Sequence, residues 1–137
     1  MVVGMHEFLL KVSKFKKTEQ KIDALRQNDT FALRTILQGV FDPKVEFLLP
    51  PGDPPYTPNE LVDQEHILHK EADKIRYFVK GFYPTLNQNK REMMFVEMLE
   101  RVAPDDAKLL IAMKDKKLPF RGITIEHVLK GLPGLIQ

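Results

Sequence analysis

The stretch FDPKVEFLLPPGDPPYTPN, residues 41–59, decides the fold, because it admits three different architectures. VEFLL as a strand would make the chain mixed α and β, and the prolines as a linker would divide it into two domains. Six of the ten prolines fall in this stretch. No second strand signal accompanies VEFLL, and a strand without partners does not persist in water. Phe47, Leu48, Leu49 and Tyr56 are too apolar for a solvated tether. The stretch therefore reads as extended chain laid across helices, part of an ordered loop over 41–62 inside one domain.

On its N-terminal side, Met5, Phe8, Leu9, Val12 and Phe15 recur at helical spacing. Thr18 stands as the N-cap of a second helix through Ile22 and Leu25, and Asp29 as the cap of a third. That third helix buries Leu33, Ile36, Leu37 and Val40 and ends near Asp42-Pro43, since a residue before proline is steered away from helical angles. On the C-terminal side, Leu68, Ala72, Ile75, Val79 and Phe82 form a stripe that Gly81 and Pro84 terminate. Asn89 with Glu92 three residues on reads as a capping box opening a helix with Phe95, Val96, Leu99 and Val102 inside. Pro104-Asp105-Asp106 starts another through Leu109, Leu110 and Met113, with two carboxylates at the positive end of its dipole. Thr124 begins a last short helix, which Gly131 and Pro133-Gly134 stop. The expectation over residues 1–137 is an all-α single bundle of six to seven helices.

The chain has no cysteine, which excludes disulfides and thiolate metal sites. Its start, MVVGMHEFLLKVSKFKK, is broken by Glu7 and Lys11, so it fails as a signal peptide and as a membrane span. A soluble cytoplasmic monomer is expected. Net charge is +2, unevenly distributed: residues 1–41 carry +3, residues 42–62 carry −3, and residues 104–137 carry +2. A polyanion-binding face, if the fold builds one, is local. No nucleophile in a recognisable context and no glycine-rich phosphate loop appears, so no catalysis and no cofactor are expected. His66 and His69, three apart with Asp73 following, lack the further ligands a metal needs. His127 is placed at the surface or boundary of the last helix.

The stretch KDKKLPFRGITIEHVLKGLPGLI, residues 114–136, carries the remaining chemistry. Lys114, Lys116 and Lys117 sit where cations offset the negative end of a helix dipole. Gly122 permits a close backbone approach, and Thr124 opens a helix whose first N–H groups point outward. The same parts make an anion site, with Arg121 beside the helix start, although Glu126 in the first turn opposes a phosphate. Taken alone, these residues favour the structural account.

The order of elements resembles the N-terminal DNA-binding domain of phage-type ATP-dependent DNA ligases. The matching pieces are TEQKIDALRQND, NKREMMFVEMLERVAPDDAKLLIAMKDKKL and the ending FRGITIEHVLKGLPGLI. The chain also resembles small proteins of T-even-like tailed phages. The ligase resemblance implies an all-helical module that meets duplex DNA, nicked or intact, along its backbone and minor groove without sequence preference. It implies that Gly122, Ile123 and Thr124 present donors to a phosphate, flanked by Arg121, Lys114, Lys116 and Lys117. Asn89 and Lys90 then stand at a second helix start facing the backbone. The Lys-x-Asp-Gly adenylation motif of ligases is absent, and the loop that is basic and aromatic in ligases is here LLPPGDPPYTP. The expected function is thus a non-catalytic DNA-binding module in phage replication, repair or recombination. The rival is a protein-interaction module that engages a phage or host protein through Leu48, Leu49 and Tyr56 of the proline loop.

Overall fold

A computed structural model describes residues 3–136, and among them every regular element is helical. The order is α1 Met5–Ser13, α2 Thr18–Gln27, α3 Phe31–Phe41, α4 Ile67–Glu71, a 3₁₀ segment Ala72–Phe78, α5 Gln88–Arg101, α6 Pro104–Lys114 and α7 Ile125–Gly131. The expected all-α bundle is what forms. No helix is long and apolar enough to cross a membrane, among the described residues.

The centre of the bundle is α6. Seven of its last eight residues are buried, including Leu109, Leu110, Ile111 and Met113, with only Lys108 facing out. A helix buried on nearly every side needs neighbours all round, and α6 is enclosed by α1, α3 and α5, while α2 pairs with α7. Gly39 lets α3 come close on two sides. A Cβ there would stand 2.9 Å from Phe47 Cζ and 3.1 Å from Met113 Cγ, so the glycine has a packing reason beyond its low helix propensity.

The connection from α3 to α4, residues 42–66, includes the expected ordered loop, and its residues 46–48 lie extended against the end of the 3₁₀ segment. Leu48 N–H donates to Phe78 O at 2.8 Å, Lys80 N–H donates to Glu46 O at 2.8 Å, and Phe47 and Val79 form an isolated antiparallel bridge. That bridge overturns the continuous helix expected through Phe82. Val79 N–H still closes the last 3₁₀ turn on Arg76 O, but Phe78 O and Lys80 N–H bond to the extended chain. The helix contracts to α4 and the 3₁₀ segment, and Phe82 is left 62% exposed.

Three helix starts shift by one or two residues. The N-cap of α2 is Lys17, with no side-chain cap bond, rather than Thr18. Thr30 caps α3 by accepting from Leu33 N, while Asp29 pairs with Arg34. Asn87, not Asn89, caps α5, accepting from the N–H groups of Asn89 and Lys90.

Candidate nucleic-acid interface

The lysines of KDKK part company in the fold. Lys114 is buried in the last turn of α6, and its ammonium donates to Gly52 O at 2.6 Å and Asp115 Oδ1 at 3.0 Å. Lys116 follows the end of α6 in the left-handed region, at φ 63°. Its N–H bonds Met113 O and that of Lys117 bonds Ala112 O, the paired closure that ends a helix. Its ammonium donates to Gly39 O at 2.5 Å, Asp42 O at 2.8 Å and Val45 O at 2.8 Å. All three donors of that ammonium thus serve carbonyls at the end of α3 and in the turn that follows it. Burial moves the Lys116 pKa down, partly offset by Asp42. Burial of Lys114 corrects the expectation that it flanks a phosphate, Lys116 is an exposed residue whose ammonium is engaged by backbone carbonyls, and only Lys117 of the three shows no such bond.

The start of α7 also differs from the expected anion site. Thr124 N–H donates to His127 Nδ1 at 3.0 Å, so that amide already has an acceptor. His127, expected at the surface or boundary, is buried and works as a reciprocal cap. Burial first, then the positive charge of Lys21, holds its imidazole below the usual range, which favours the neutral ring this bond needs. The Ile123 side chain is buried in the core. Arg121, Thr124, Asn89 and Lys90 are exposed, but Asn89 and Lys90 belong to α5, away from Arg121 in the chain order and outside the helix pair α2–α7.

Gly122 makes the close approach its sequence context predicts. Its φ is +119°, and a Cβ would fall 2.3 Å from Ser13 O. Lys21 Nζ donates to Gly122 O at 2.5 Å across the same contact. This seat presses the residue after Arg121 against the residue before Lys14, joining two basic stretches that are far apart in sequence.

The residues so gathered are ones the sequence reading passed over. Between Lys11 and Lys21 stand five lysines and one acid, Glu19, a local charge of +4 in a chain of net +2. Lys14, Lys16 and Lys17 are exposed, and none of Lys11, Lys14, Lys16, Lys17, Lys21 or Arg121 has a carboxylate ion-pair partner among the described residues. The uncapped N-terminus of α2 lies in the middle of them. The signal was available as lysine density; what could not be seen was that α7's start is capped and α2's is open.

Among the described residues no group of three histidine or acidic side chains is placed to hold a metal, and His69 Nε2 lies 3.3 Å from Val3 O. The sequence model for a family of unknown function, DUF6433, matches residues 8–119, a span that contains the five lysines, the proline loop, α5 and α6. No curated protein and no solved structure matches the chain.

Proposed function

The chain belongs to DUF6433, a family of unknown function, and we propose that it is a module that grips the backbone of duplex DNA without reading sequence. The observation that carries this reading is the Ser13–Gly122 seat, which presses the residue after Arg121 against the residue before Lys14, with Lys16, Lys17 and the open N-terminus of α2 following in the chain. Unpaired lysines around a helix start with free N–H groups offer what phosphate oxygens require: fixed partial charge, donors and mobile cations. Lysine ammoniums act as point charges, and the exposed members of this patch include no aromatic ring to stack on a base. The contacts therefore position a duplex and do not encode a sequence. Glu19 and Glu126, each in a first helical turn, limit the affinity. The likeness to ligase DNA-binding domains is the reason for placing this activity in phage DNA replication, repair or recombination.

Fluorescence anisotropy with nicked and intact duplexes tests the reading. Four to five contacted phosphates give a log–log salt slope of about −4, at roughly −0.9 per phosphate. Replacing Lys14, Lys16 and Lys17 together by Ala is expected to flatten that slope and weaken binding to all sequences alike. Absence of binding at low salt, or binding indifferent to the triple substitution, overturns it.

A further inference from the structure

A second surface is built quite differently. Between the proline loop and α5 runs a groove of about 730 Å³ whose apolar lining includes Leu49, Phe95, Val96 and Met93. Met93 is 63% exposed, an unbranched thioether able to reshape around an apolar guest. The facing wall contains Pro50, Pro51, Pro54 and Pro55, whose fixed φ angles leave little entropy to lose on binding. Gly52 in that wall is held at both ends of its peptide: its carbonyl accepts from Lys114 Nζ, and its N–H donates to Asp115 Oδ2 at 3.2 Å. Lys114 and Asp115 thus tie this turn of the proline wall to the end of α6.

The rim is acidic. Asp53, Glu92, Glu97 and Glu100 line it, and none of the four has an ion-pair partner among the described residues. Glu92 and Glu100 accept only neutral donors, the Gln88 amide and Thr57 N–H. The one cation in the lining, Lys114, is neutralised by Asp115. An apolar trough edged with unpaired carboxylates is complementary to a segment that presents large apolar side chains between lysines or arginines.

We infer that this groove is a docking site for a cationic, apolar segment of a partner protein. The inference stands apart from the nucleic-acid reading, since it uses none of the lysines between 11 and 21.

The test is an NMR titration of the full chain with a synthetic amphipathic peptide of Leu and Lys, alongside the same peptide with every Lys replaced by Glu. The basic peptide is expected to shift the amides of Gly52, Met93, Val96 and Glu97, and the acidic one to leave them in place. Glu97→Lys, an exposed change on α5, is expected to weaken the basic peptide by at least about tenfold through like-charge repulsion. Failure of the basic peptide to bind overturns the assignment, as do shifts centred elsewhere or equal binding of the acidic peptide. Light scattering supplies the remaining outcome: self-association abolished by Glu97→Lys would make the occupant a second copy of this chain, against the inference.

Discussion

Lys116 illustrates how a residue's neighbours in space outweigh its neighbours in sequence. It lies in a cluster of cations after a helix, yet its ammonium reaches carbonyls 71 to 77 residues away. Replacing it by Ala leaves those carbonyls with poorer partners and is expected to cost about 1–3 kcal/mol in a urea titration. Lys116→Gly should be less damaging than Lys116→Ala by roughly 1 kcal/mol, because glycine accepts the positive φ without a Cβ clash. Neither change should alter the DNA affinity of the folded fraction, which separates a clamp from a phosphate ligand. Lys114 and Lys116 were legible as helix-end cations but not as clamps. Their partners, Gly52 and the end of α3, come to them only through tertiary packing. Gly122 was legible in kind, as a close approach, although Ser13 as its neighbour was not.

At the scale of the element, capping decides which helix starts are available. The start of α7 is closed by His127 only while Nδ1 is unprotonated, so this element carries a pH dependence. The folded pKa of His127 is depressed below 6.5, by burial and then by Lys21. Stability contributed by the neutral ring is therefore fully present above 6.5 and is lost as pH falls through the lower folded value. The hydrogen-exchange protection of Val128, relative to the free amide at the same pH, is expected to fall on acidification, and His127→Gln should remove the effect while keeping a side-chain acceptor at the same helical position. Phosphate bound near Lys21 would offset that cation and move the His127 titration upward, giving a local readout of DNA occupancy. The apolar stripes of α1, α3, α5 and α6 were legible because their period matches the faces they bury. The stripe from Leu68 to Phe82 was not, because periodicity cannot register that Glu46 and Leu48 engage the backbone around Val79. Tertiary hydrogen bonds there outweigh local helix preference.

Across the whole molecule, a net charge of +2 conceals segregation. With +4 between Lys11 and Lys21, the remainder of the chain is net −2, and four of its carboxylates without an ion-pair partner among the described residues, Asp53, Glu92, Glu97 and Glu100, line the groove beside α5. The sequence pointed to basic ends and an acidic loop, but which charges are neutralised internally depended on the fold. This segregation separates two ways a substitution can alter DNA binding. Glu97→Lys adds two units of positive charge without touching the lysine turn, so it acts through the molecular field. At low ionic strength it is expected to tighten duplex binding several-fold, and the gain should vanish near physiological salt, where the Debye length is about 8 Å. Loss of Lys14, Lys16 and Lys17 removes contacts and should weaken binding at both salt concentrations. A Glu97→Lys gain that persisted at high salt would instead mean that DNA meets α5 directly, beside Asn89 and Lys90. The anisotropy titration at two salt concentrations therefore tells a patch centred on the Ser13–Gly122 seat from one that extends across α5.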